Sequence, residues 1–213
     1  MRRVPLMRAL IALTLFATLL VGCSAPAPLP DFRYYRLAPP TSVSAMETPA
    51  LSAPIVVNGV QADGVHGERP ILYSTDPDSL RISQYHYQIW NDPPPAMVQR
   101  RALHLFDKRA IAPLVTNRLD PRIKAYRVSI RLNRFEIIRV DGSNREVVVG
   151  LRIRADYDGI RLPLMEQQYT VRRPAQGTSL VDGTAELSVA VDEILIGFAD
   201  ALAKAVSEQA AAG

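Results

Sequence analysis

The sequence predicts an α+β fold, an antiparallel sheet with a long C-terminal meander covered by two main helices. Apolar and polar residues alternate through three stretches between Tyr126 and Arg173, the period-two signature of half-buried strands. Apolar residues recur at helical spacing just after Pro93 and again from Leu187 to Val206. The pairs Asp141-Gly142 and Asp158-Gly159 divide the alternating stretches and mark turns, the second a strong hairpin signal.

The chain opens with a basic segment carrying Arg2, Arg3 and Arg8, then an apolar stretch from Ala9 to Val21, then Gly22-Cys23. A cationic start, a short apolar core and a small residue at the cut make residues 1–22 a signal peptide that is cleaved. Its apolar core is about 13 residues, short of the about 20 that a spanning helix needs. Leu20-Val21-Gly22-Cys23 resembles the bacterial lipobox. The resemblance implies diacylglycerol on Cys23, cleavage after Gly22 and a third acyl chain on the freed amine. An ordinary signal peptide beside a chance cysteine is the alternative; that Cys23 is the only cysteine favours the lipobox. One buried chain anchors marginally, and two or three anchor permanently. With Cys23 acylated, the folded part holds no thiol for a disulfide or a Cys-based metal site.

Residues 23–31 read as a lipidated tether, since Ser24 to Pro30 is too proline-rich for helix or central strand. Residues 32–207 read as a single domain and 208–213 as a tail. Phe32 to Leu37 is a short strand, and Ala38 to Pro54 a proline-rich loop. Ile55 to Gln61 and Arg69 to Tyr73 are strands separated by the glycine-rich turn Asp63 to Gly67. Leu80 to Trp90 is strand-like, with Tyr85 and Tyr87 on one side and His86 and Gln88 on the other.

The period then changes. Asp92 is placed to cap a helix with Pro93 in its first turn. Val98, Ala102, Leu105 and Phe106 form its apolar side, Arg100, Arg101, Lys108 and Arg109 point to solvent, and Pro113 ends it. In the meander, Tyr126, Val128, Ile130 and Leu132 share a face, but Phe135 and Ile137 have the other parity. A one-residue slip near Asn133-Arg134 is required, as in a bulge. Val147 to Tyr157 and Leu162 to Arg173 supply the second and third strands. Thr184 caps the last helix, whose stripe is Leu187, Val191, Ile194, Phe198, Leu202 and Val206. Ile153 and Phe198 should therefore share one core.

The formal charge of +4 falls to +1 once the three signal arginines are removed, so no electrostatic case exists for a nucleic-acid partner. The arginines from Arg122 to Arg173 read as solvated strand faces. His66, His86 and His104 fall on a loop, a strand and a helix, and no metal-ligand spacing, nucleophile elbow or phosphate loop occurs. Asp76, Asp78, Glu136 and Asp156 offer no preferred acid–base pair. The sequence predicts no enzyme, no catalytic residue, no metal and no cofactor.

Several segments, in order behind the lipobox, resemble one family. They are Tyr34-Tyr35-Arg36-Leu37, Arg69-Pro70-Ile71-Leu72-Tyr73, the run from Tyr85 to Pro94, Leu132-Asn133-Arg134-Phe135-Glu136, and the terminal helix. They are similar to the PqiC-type ABC-transport auxiliary lipoproteins that accompany MCE-domain lipid transport systems. The resemblance implies a non-enzymatic lipoprotein on the periplasmic face of a Gram-negative outer membrane. Ser24 agrees, lacking the acidic charge associated with inner-membrane retention. The implied partners are an MCE-domain protein and, through the lipid anchor, the membrane; a homo-oligomer is left open. The competing class is a structural or assembly lipoprotein stabilising an outer-membrane complex. Tyr85, Tyr87 and Trp90 form the candidate partner surface, although a core role for Trp90 is the alternative.

Overall fold

The structure, a computed structural model, describes residues 31–76, 78, 80–139 and 145–212. Cys23, the leader 1–22, the tether up to Pro30 and the Asp141-Gly142 turn lie outside the described residues. The strands are β1 (Arg33–Tyr35), β2 (Ile55–Val57), β3 (Gln61–Ala62), β4 (Pro70–Ser74), β5 (Ser83–Trp90), β6 (Val115–Thr116), β7 (Tyr126–Arg139), β8 (Arg145–Tyr157) and β9 (Met165–Pro174). The helices are α1 (Pro94–Lys108) and α2 (Leu180–Ala212), and Gly64–Gly67 forms one 3-10 turn.

β7 is the spine of the sheet. Along one edge it pairs with all of β8 in antiparallel register, from Tyr126 opposite Tyr157 to Arg139 opposite Arg145. β9 then pairs antiparallel with β8, which completes the expected meander. The other edge of β7 takes three short strands in succession, all parallel to it: β2 at Tyr126 to Val128, β3 at Arg131 to Leu132 and β4 at Ile137 to Ile138. β6 lies outside β2, and β5 and then β1 lie outside β4.

The sheet is therefore mixed, not purely antiparallel, which corrects the sequence expectation. The reason lies in the segment from Ile55 to Ser74. Its glycine-rich stretch folds as a 3-10 turn that interrupts the strand without reversing it. The whole segment then runs in one direction along β7, and the return to β7 is made through β5 and α1, as a parallel pair requires.

The required slip falls on Asn133, where the β7–β8 register shifts between Leu132 and Arg134. Gly150 pairs with Arg134 beside it, and its missing Cβ leaves room for the slip: a Cβ would stand 2.2 Å from Asn133 Oδ1 and 3.2 Å from Arg134 Cβ. The slip keeps Leu132 and Phe135 both in the core. Ile153 and Phe198 are both fully buried in that core, together with Val98, Leu105 and Phe106 of α1.

The helix ends differ from the sequence reading. Pro93 takes the cap position of α1 with no side-chain cap, and Pro94 is the first helical residue. Asp92 instead accepts a hydrogen bond from Arg100 Nη2 at 2.6 Å. The helix stops at Lys108, before Pro113 can act, because Ala110 takes φ +53°. Ala110 N–H donates to Asp107 O and Ile111 N–H to Phe106 O, a Schellman ending with alanine where glycine is usual.

α2 begins at Leu180, four residues before the predicted cap. Ser179 Oγ accepts from Asp182 N–H at 3.1 Å, and Asp182 returns a bond from Ser179 N–H at 2.9 Å, a reciprocal capping box. Thr184 lies inside the helix, its hydroxyl donating to Val181 O. Gly183 lets α2 approach β7, since a Cβ there would meet Ile137 Cδ1 at 2.8 Å. The helix also runs through residues 208–212, read from sequence as a tail. Asp158-Gly159 lies in the connection that turns β8 back into β9, with pairing resumed at Ala155 opposite Met165. Asp158 accepts from Ala125 N–H and Arg127 Nε, at 3.2 and 2.8 Å.

Candidate functional site

The three residues singled out on β5 separate in the structure. Tyr87 is exposed and makes an edge contact with Phe32, their ring centroids 5.7 Å apart. Tyr85 is half-buried against Tyr73, with centroids 4.8 Å apart. Trp90 is 1% exposed and packs on Phe135 at 5.3 Å. Arg69 pins the Trp90 backbone, its carbonyl accepting from Trp90 N–H at 2.7 Å and its Nε donating to Trp90 O at 3.0 Å. Trp90 is thus a core residue and is withdrawn from the partner surface. A buried indole of this size serves packing.

The exposed aromatic surface is completed by β1, which the sequence reading did not include. β1 pairs parallel with β5, with Tyr34 opposite Ile89 and Tyr35 opposite Trp90. Phe32 and Tyr34 are exposed, and the Arg69 guanidinium stands 5.7 Å from the Tyr34 ring centroid. Phe32, Tyr34 and Tyr87 therefore present exposed aromatic rings along the β1 edge of the sheet. The strand itself was expected over Phe32 to Leu37, and its alternation already put Phe32 and Tyr34 on one face.

A second group was misread. Arg101 does not point to solvent. Its side chain is 5% exposed and pairs with Asp192 of α2, 3% exposed, at 3.1 Å. Arg101 Nη2 donates to Ala38 O, and Asp192 Oδ2 also accepts from Thr41 N–H at 2.7 Å. Ser188, one turn before Asp192, accepts from Ala38 N–H at 2.8 Å. The proline-rich loop 38–54 is thus tied down across both helices. Further along it, Met46 N–H donates to Arg109 O and Leu51 N–H to Ile111 O, both at 2.9 Å. Burial lowers the Arg101 pKa, and the Asp192 charge opposes that shift.

Three of the four carboxylates considered for acid–base work, Glu136, Asp156 and Asp76, are engaged elsewhere. Glu136 is buried and accepts from Arg134, Asp156 takes a forked pair from Arg154, and Asp76 accepts from Asp78 N–H in a turn. His66 is buried, and desolvation lowers its pKa below the usual 6.5, with Arg134 adding to that and Glu136 and Asp63 opposing it. Among the described residues no group of three or more His, Cys, Asp or Glu side chains is placed to hold a metal. No described helix is long and apolar enough to cross a membrane.

The fold matches that of a Xanthomonas campestris protein assigned to the DUF330 family. The TM-score is 0.71 at 17% identity, over 84% of this chain and 99% of the other. A second solved structure, of an uncharacterized protein, matches with a TM-score of 0.63 at 12% identity, over 81% and 99% of the two chains. At these identities the likeness is one of fold. No functionally curated protein matches the chain. The sequence model for the ABC-type transport auxiliary lipoprotein component matches residues 35–196, from the end of β1 into the middle of α2. That span takes in the aromatic edge at Tyr87, the buried pair at Arg101 and Asp192, and the whole meander, so the chain belongs to the family of ABC-type transport auxiliary lipoprotein components.

Proposed function

We propose that this chain is a non-enzymatic component of an MCE-type ABC transport system, anchored through acylated Cys23 to the periplasmic face of the outer membrane. It assists lipid transfer between membranes by docking onto the MCE-domain protein. The observation that carries this reading is the family match, which spans the sheet and both helices. It agrees with the lipobox at Cys23 and with an exposed aromatic cluster of Phe32, Tyr34 and Tyr87 close to the tether. Aromatic residues are enriched where proteins meet. A tether confines the domain near the bilayer, so a modest contact gains from high effective concentration.

The test has two parts. Acyl-chain labelling and membrane fractionation of Cys23→Ala should show both signals lost; undiminished labelling removes the anchor. Mild crosslinking in native membranes followed by purification of the full chain should recover an MCE-domain protein. Recovery of outer-membrane assembly components instead, with no transport component, replaces this reading with the structural-lipoprotein one.

A further inference from the structure

Between the segment Arg36 to Pro40 and one face of α1 lies an open groove of about 570 Å³. That size falls within the range of about 300–1,000 Å³ typical of small-molecule sites. The α1 wall presents Met97, Arg100, Arg101 and His104, whose spacing places them on one helix face. Three guanidinium groups and an imidazole line the groove, against the single carboxylate of Asp92. Asp92 is engaged by Arg100 at 2.6 Å, and Arg101 is answered from behind by Asp192 at 3.1 Å. Arg36 is left over. It is exposed and has no ion-pair or hydrogen-bond partner among the described residues. Beside this cationic lining the groove is apolar, with Leu37, Pro39, Pro40 and Met97.

We propose that this groove binds the phosphate head of an amphiphile. The phosphate lies against Arg36 and Arg100, and the glycerol end and first methylenes lie on Leu37 and Met97. A guanidinium fork matches two phosphate oxygens at once. The apolar wall beside the cations suits a lipid better than a free phosphate. Its source in a bilayer rests on the anchor reading above. Phe32 is nine residues from Cys23, and an extended proline-rich tether covers at about 3.1 Å per residue roughly 28 Å. Arg36 follows directly on β1, so the groove stays within reach of the headgroups.

The test uses the full chain in uncharged detergent and phosphate-free buffer, with its methionine methyls labelled for NMR. Met97 lines the groove, whereas Met165 starts β9 and serves as an internal control. Dihexanoyl phosphatidylglycerol should shift the Met97 methyl saturably and leave Met165 in place. Dihexanoylglycerol, lacking phosphate, should not. Arg36→Glu should weaken binding by about tenfold or more, as loss of a charged contact does. Arg131→Glu, on β7, outside the groove lining and paired with Asp63, should leave binding unchanged. Equal responses to inorganic phosphate and the phospholipid overturn the lipid assignment in favour of a phosphate site. No saturable shift, or wild-type binding by Arg36→Glu, overturns the site itself. Either failure leaves the transport reading standing, because that reading is decided by which partner is recovered.

Discussion

Removing the Asp192 carboxylate probes the contact that joins the loop 38–54 to both helices. In Asp192→Ala the Arg101 guanidinium stays in a site where its side chain is 5% exposed, with Ala38 O its one remaining partner among the described residues. Leaving one member of a buried ion pair alone costs about 3–5 kcal/mol. Set against a total stability of about 5–15 kcal/mol, that is a large share. Arg101→Met should cost a similar amount, because it strands Asp192 with only the Thr41 N–H. The double variant Arg101→Met/Asp192→Leu strands no charge and should regain at least about 2 kcal/mol of either single loss. Denaturant melts followed by the single tryptophan, Trp90, supply these energies. Hydrogen exchange at the Thr41 amide should quicken in both Asp192 variants, reporting release of the loop. Single losses under 1 kcal/mol, or strict additivity in the double variant, would refute the argument.

Three further outcomes follow from local geometry. Ala110→Gly relieves a left-handed conformation at φ +53°, a gain of about 1–2 kcal/mol offset by about 0.4–1 for the freer unfolded chain, so melts should show a net gain of about 0.5–1. Gly183→Ala should destabilise: overpacking against Ile137 Cδ1 costs about 1–3 kcal/mol, more than the about 1 gained in helix propensity, and Ile137→Val in the same chain should recover part of the loss. His66 has its pKa lowered by burial, so the unfolded chain takes up its proton first as pH falls through about 6.5. Stability should therefore drop between pH 7 and 5, and His66→Phe should flatten that slope in melts at the two pH values; an unchanged slope would remove His66 as its source.

The meander was legible because alternation counts residues. The parity change between Leu132 and Phe135 required a slip, and the structure places it on Asn133. Strand direction was not legible, since β2, β3 and β4 are too short to encode it and a glycine-rich stretch reads as a reversal. Arg101 was taken for a solvent residue because its neighbours Arg100 and Lys108 look the same in sequence. Its burial is decided by Asp192, 91 residues away. The available signal was on α2, where Ser188 and Asp192 are polar residues one turn apart beside an apolar stripe. Trp90 carried a parity signal too, since it alternates with His86 and Gln88, not with Tyr85 and Tyr87. The S-x-x-D of Ser179 to Asp182 was masked by Asp182-Gly183, which reads as a turn although Gly183 serves a close helix–strand approach.

Docking of the aromatic edge onto a transport partner can be trapped by placing a photo-crosslinking amino acid at Tyr87 of the full chain in cells. Leu162, 75% exposed on the β8–β9 connection, is the control position. An adduct with an MCE-domain protein is expected from position 87 and none from position 162. No transport component trapped from position 87, or the same adduct with equal yield from both positions, would contradict it.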